Sequence, residues 1–395
     1  MNKRKIPVPA LARGQRLKGA STLVRPDGST AAQWIKTERA PVDRTKQIAA
    51  LMRSFGRKIQ PAPKSRAPEQ TEADLLNVYP LGDPHIGLLA WGRETDADFD
   101  LKIAERVMCD AMEQLVKSSP AAREALIVNV GDFFHADNLE NHTTKGTHRL
   151  DVDGRTPRVL QVGLAVICRL IDTALRRHQR VTFLSVPGNH DAYTALWLPL
   201  AVREHYRLDP RVVVPVTERA RAYYEFGQNL IGVAHGDRQS AADLCEIMAA
   251  EEPQRWGRCS QRLWITGHVH HDRVREYRGA RVESIRTMAA RDSWHAGQGY
   301  SAGRDMKRIT LHRKWGEIER AIVSVDRLPS PLACSAARNV TQSDRQFVGF
   351  HLVSPDQSLV QGRCQRKTPC EYARHARTPE PSPSHVRLDV CHGAC

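Results

Sequence analysis

Five times in this chain a run of apolar residues stops on a short polar cluster of Gly, Asp, Asn and His. The clusters are Asp83-Pro84-His85 after residues 75–81, Gly131-Asp132 after 125–130, Gly188-Asn189-His190-Asp191 after 181–186, His235-Gly236-Asp237 after 230–234, and Gly267-His268-Val269-His270 after 262–266. Apolar runs of this length, punctuated by turn residues, read as buried strands. Strand exits are where open α/β sheets place their ligands. Helical patterns over 98–116 and 157–178 separate the first three runs, giving two strand-helix-strand steps.

Further along, helices are expected at 192–206 and 241–250. Strands are expected at 211–215, 221–226, 273–277, 281–286, 306–312 and 319–325. The second half loses the regular alternation with helices, which argues against an eightfold barrel. The expectation is an α/β fold, a layered α/β/β/α sandwich with mixed sheets and a small N-terminal basic appendage.

Length and composition agree with a large buried core: 395 residues, 41% apolar and 26% charged. A small disulfide scaffold and a collagen are excluded. No window approaches 18 uninterrupted apolar residues, and the basic start MNKRKIPVPA lacks the apolar run of a signal peptide, so a soluble, cytoplasmic protein without a membrane partner is expected.

The net charge of +15 is unevenly spread. Residues 1–70 hold 16 Lys/Arg against four Asp/Glu, whereas residues 71–330 hold 35 of each. The domain reading follows: a basic N-terminal arm or small module at 1–70, a catalytic domain at 71–330, and a tail at 331–395. In the arm, 21–34 reads as a hairpin around Pro26-Asp27-Gly28, 43–58 as a basic amphipathic helix and 61–64 as a linker. Such an arm suits a polyanion, nucleic acid first, or else is a solvated tail. The C-terminal tail carries five of the nine Cys, at 334, 364, 370, 391 and 395, in no standard zinc spacing. Cys109 and Cys168 fall on apolar helix faces and read as small core residues.

The five strand exits together offer Asp83, His85, Asp132, Asn189, His235, His268 and His270. Carboxylate and carboxamide oxygens with imidazole nitrogens suit Mn²⁺, Fe²⁺ or Zn²⁺. Any one cluster fits an ordinary turn, but five in series at strand ends do not.

In order and in full, the clusters D-x-H, G-D, G-N-H-D, H and G-H-x-H resemble the calcineurin-like metallophosphoesterase superfamily over residues 76–325. The resemblance implies that Asp83, His85 and His270 bind one metal, that Asn189, His235 and His268 bind the other, and that Asp132 bridges them. It implies that His190 stabilises the transition state or protonates the leaving oxygen, with Asp191 as its electrostatic partner. Gly131-Asp132-Phe133-Phe134-His135 is similar to the G-D-x-F-H form of the DNA repair nuclease branch, which uses manganese and is often dimeric. Residues 88–92 and Arg291 to Gly297 resemble phage- and prophage-encoded members, which would place the protein in a bacterial host cytosol.

Beyond the metal set, residues 135–155 form a polar loop expected to be a substrate rim, a lid or surface decoration. Trp91, Arg93, Arg291 and His295 are candidates to line a groove, since Arg pairs with phosphate and Trp stacks on a base. The leading expectation is a dinuclear metal-dependent phosphodiesterase, a DNA nuclease. The alternatives are a phosphatase acting on a protein or small-molecule monoester, and a non-catalytic nucleic-acid-binding protein.

Overall fold

The computed structural model describes residues 15–39, 62, 65–138, 140–143 and 149–328. The expected helix at 43–58, His148 and the tail at 331–395 lie outside the described residues, as does the linker apart from Ala62. β1 (Gln15–Val24) and β2 (Thr30–Arg39) form the antiparallel hairpin expected around Asp27-Gly28. Gly28 takes φ +83° there.

The main body begins with β3 (Glu72–Leu81), α1 (Gly92–Thr95), α2 (Leu101–Lys117), β4 (Ala122–Asn129), α3 (Thr156–Leu175) and β5 (Arg180–Ser185). It continues with α4 (Thr194–His205), β6 (Val212–Val213), β7 (Arg221–Phe226), β8 (Asn229–Ala234), α5 (Ala241–Glu251), α6 (Pro253–Arg258) and β9 (Gln261–Thr266). β10 (Arg273–Tyr277), β11 (Ala280–Ser284), α7 (Ser293–Gly297), β12 (Asp305–His312) and β13 (Gly316–Ser324) complete it. Each long strand and helix expected over these residues is present within a few positions. The short helices α1, α6 and α7 were not expected, because four to six residues are too few for a periodic signal.

Two sheets result. One has the order β13-β12-β3-β4-β5-β6, with β3 to β6 parallel; the other has β10-β11-β9-β8-β7, with β8, β9 and β11 parallel. Side-chain alternation along each strand decides the layering. On β3 and β4, Tyr79, Leu81, Ala125 and Ile127 pack with α2, α3 and α4, while Leu76, Val78, Leu126 and Val128 point the other way. There they meet Ile231, Val233, Leu263 and Ile265 of the second sheet. On that sheet's far side Leu230, Ala234 and Trp264 pack with Leu244 and Met248 of α5. The main body is therefore an α/β/β/α sandwich with three stacked apolar layers.

Helix ends are fixed by side chains. Asp100 accepts from the Ile103 N–H at 2.7 Å to start α2, and a Ser240/Asp243 capping box starts α5. The described ends of the polar loop, residues 135–138 and 149–155, are tied to the body. Asp137 accepts the Tyr193 and Thr194 N–H groups at the start of α4, and Asp153 accepts the Leu101 N–H and donates its own N–H to the Gly87 carbonyl. Cys109 is buried in the helical layer, and burial pushes its thiol up to about 12, as a core residue requires.

One charged network ties the second sheet to β12 and β13. Glu283 is fully buried and receives Arg320 at 2.5 and 2.9 Å, Arg281 at 3.0 Å and Lys307 at 3.3 Å. Burial alone raises the Glu283 pKa, but the Arg320 hydrogen bonds outweigh it and hold the carboxyl below its ordinary value. Its stabilisation is present above the ordinary carboxylate range and is lost as pH falls through the depressed value. Glu283→Ala removes the carboxylate that Arg320, Arg281 and Lys307 share, leaving the two arginines with Glu317 and the lysine with Asp272, and should cost about 1–3 kcal/mol by urea unfolding at neutral pH. A loss under about 1 kcal/mol would show the network to be incidental to stability.

Candidate metal centre

The five parallel strands β3, β4, β5, β8 and β9 end on one edge of the sandwich, and the five polar clusters sit at those ends. The turns are tight. Of seven non-glycine residues with positive φ among the described residues, five are predicted ligands: Asp83, His85, Asp132, His268 and His270. Left-handed backbone costs a non-glycine residue about 1–3 kcal/mol, so it persists only where the surroundings impose it. Here those surroundings are hydrogen bonds from distant strands. The His268 N–H lies 2.9 and 3.1 Å from the two oxygens of Asp83, Thr287 donates to the Asp83 carbonyl at 2.7 Å, and the His190 N–H donates to Asp132 at 2.7 Å. Two glycines make room: a Cβ on Gly188 would collide with the Asp132 carboxylate, and one on Gly267 with that of Asp83.

The predicted residues converge on two adjoining groups. Asp83, His85 and His270 have ligand atoms within 4.8 Å of one another, and so do Asp132, His235 and His268. Asn189 joins the second group through its Oδ1, 2.9 Å from His235 Nε2. His85 Nε2 and His270 Nε2 lie 3.2 Å apart. His268 is exposed, while Asp83, His85, Asp132 and His235 are buried.

Charge in this pocket is unbalanced in a way that invites cations. Burial raises the pKa of Asp83, with the charge on Asp132 adding to the effect. Burial lowers the pKa of His270 and His135, each to about 3, and that of His85 well below its ordinary value, so these rings are neutral. His235 is the exception. Burial alone lowers its pKa, but Asp132 at 3.1 Å and Asp83 at 3.5 Å outweigh that and raise it to about 10. A proton on His235 thus occupies the place of positive charge between two carboxylates. Neutral imidazoles, buried carboxylates and a carboxamide oxygen together fit a pair of divalent cations.

His190 and Asp191 are placed differently from each other. The His190 ring donates from Nδ1 to the His135 carbonyl at 2.9 Å and packs edge-on against His85 with centroids 4.9 Å apart. Since a carbonyl only accepts, Nδ1 carries the hydrogen and Nε2 is left for a ligand. The Asp191 carboxylate is instead taken up by four backbone N–H groups, those of Asp132, Phe133, Phe134 and Gly188, at 2.8–3.3 Å. These bonds lock the Asp132 turn to the Gly188 turn, which carries His190 as well.

Two features of the site lie outside the predicted metal ligands: His135, which sequence reasoning missed as a site residue, and a pair that includes the groove candidate His295. His135 forms a third cluster with His85 and His190: its Nδ1 is 3.2 Å from His85 Nδ1, and its buried Nε2 has no hydrogen-bond partner. Its position three residues after Asp132 was the available signal. The second is a dyad, Asp292 and His295, whose His295 ring stacks on His270 at 5.2 Å and 21°. Arg291, expected to meet phosphate, donates to the Tyr300 and Thr95 carbonyls and to Asp96. Arg93 lies 5.2 Å over the exposed Trp91 ring.

No family model and no curated protein matches the chain. Among solved structures it is similar to an archaeal phosphodiesterase, at 12% identity over 63% of this chain and 99% of that one, with TM-score 0.33. It is similar to YfcE, a phosphoesterase from E. coli, at 12% identity over 62% and 98%, TM-score 0.31. It is also similar to vacuolar protein sorting 29 from Cryptosporidium parvum, at 14% identity over 63% and 97%, TM-score 0.32.

Because a metal at His235 Nε2 must displace the proton held there beside Asp132, loading should release protons and tighten as pH rises across the neutral to alkaline range. Calorimetric titration with Mn²⁺ in two buffers of different ionisation enthalpy measures that release. A buffer-independent, pH-independent affinity would contradict the charge arrangement described.

Proposed function

We propose that this chain is a dinuclear metal-dependent phosphodiesterase acting on nucleic acid, DNA in the first place. The observation that carries the reading is the pair of adjoining donor groups at five parallel strand ends, with His190 presenting a free ring nitrogen beside them. Asp83, His85 and His270 would hold one divalent cation, and Asn189, His235 and His268 the other, with Asp132 between the two. Such a pair supplies Lewis-acid polarisation of phosphoryl oxygens and offsets charge at the attacking and leaving oxygens.

The chain's own residues do the rest. Asp191 holds the turns carrying Asp132 and Asn189 in one register, and the His135 carbonyl fixes the rotation of His190. When the ring carries two protons, His190 Nε2–H then gives a hydrogen bond, and finally its proton, to the oxygen on which charge develops. The repair-nuclease-like His135 and the +12 charge of residues 1–70 support a nucleic-acid substrate over a small monoester.

Purified protein loaded with Mn²⁺ should hydrolyse DNA and a simple phosphodiester when tested beside RNA and a phosphomonoester. Turnover of the monoester alone would overturn the reading in favour of a phosphatase. Asp132→Ala and His268→Ala should nearly abolish hydrolysis while leaving the far-UV circular dichroism unchanged. His190→Ala should lower kcat by about 10²–10⁴-fold, the range for loss of a positioned acid or base. Full activity in any of the three would remove that residue from the site.

A further inference from the structure

Aromatic rings lead outward from the metal centre. His295 stacks on His270, and the series continues from His295 to Tyr300 at 5.8 Å and from Tyr300 to Trp294 at 5.9 Å, those two rings tilted by only 30°. Trp294 also meets the His295 ring edge-on at 4.9 Å. At the outer end, Trp294 is 55% and Tyr300 54% exposed.

Large apolar rings left in water on a turn are costly, yet this turn is held firmly. Asp292 accepts both the backbone N–H of His295 at 2.7 Å and its ring Nδ1–H at 2.6 Å. Ser293 donates to Asp151 at 3.1 Å, and Arg291 clamps the Tyr300 carbonyl to Thr95 and Asp96. The rings are thus a preorganised platform, so little ordering entropy is lost when something stacks on them.

We infer that Trp294 and Tyr300 form a stacking seat for an unpaired base next to the phosphodiester held at the metal centre, making single-stranded nucleic acid the substrate class. The inference rests on the phosphodiesterase reading and narrows it. A base offers a free π face only when its neighbour is unstacked, and stacking on aromatic side chains is tolerant of sequence. Two ring steps, of 5.2 and 5.8 Å, separate Tyr300 from His270, within reach of a base attached to the reacting phosphate. The positive charge concentrated in residues 1–70 suits the polyanionic remainder of such a strand.

Two measurements test the seat. In the first, anisotropy of a fluorescein-labelled ten-residue oligothymidylate is followed in EDTA, with the blunt duplex as comparison. Trp294→Ala/Tyr300→Ala should weaken single-strand affinity about tenfold or more, the size of one or two lost stacks, while Trp294→Phe retains it. In the second, the preference in kcat/KM for the p-nitrophenyl ester of thymidine 5′-monophosphate over methyl p-nitrophenyl phosphate should fall by a similar factor in the double variant. The nitrophenyl group is common to both esters and cancels. Unchanged oligonucleotide affinity in the double variant, or an equal loss on duplex, would overturn the seat and leave the exposed rings to a protein surface. If the wild type hydrolyses neither ester, the phosphodiesterase reading fails, and the binding measurement still decides the seat.

Discussion

Two carboxylates, Asp83 and Asp132, are buried within reach of a single imidazole, and most of this edge of the molecule is arranged to keep them there. Charge removed from water is expensive unless it is paired or meets a metal. In this chain Asp83 gains the His268 N–H and Asp132 the His190 N–H, and His235 stands between them. The partners come from β5, β8 and β9 exits, distant in sequence from β3 and β4. Folding the two sheets against each other is therefore what assembles the site, and the site's charge is balanced only when both sheets are in register.

The same constraint explains the local geometry. A chain that must turn its Asp and His side chains into one small volume at strand ends bends through left-handed backbone, which five non-glycine residues adopt here. Asp191 shows how the cost is met: four backbone N–H groups that the turns leave unpaired converge on one carboxylate. Beneath the centre, Lys307 joins Asp272 to Glu283, and the Ser284 hydroxyl donates to the His271 carbonyl, so the turn that carries His268 and His270 is tied to the body of the second sheet.

Much of this was legible in the sequence because strand exits combine two strong local signals, an apolar run and an abrupt change to Gly, Asp and His. The layered sandwich followed from the order of strands and helices, whose regular alternation stops in the second half. What escaped was whatever depends on contacts between remote segments. Nothing local distinguishes an Asp191 that faces a histidine from one that collects amides, and Arg291 reads as a free cation until Asp96 is brought beside it. The short helix α7 has no period to read, so the dyad of Asp292 and His295 and the ring series beyond it appear only when the 291–300 segment lies against His270.

The most direct test of the account is where divalent ions bind. Anomalous scattering from crystals grown with Mn²⁺ should give two peaks per chain, one among Asp83, His85 and His270 and one among Asn189, His235 and His268, both adjacent to Asp132. A single peak, or none at these residues under saturating metal, would contradict a dinuclear centre.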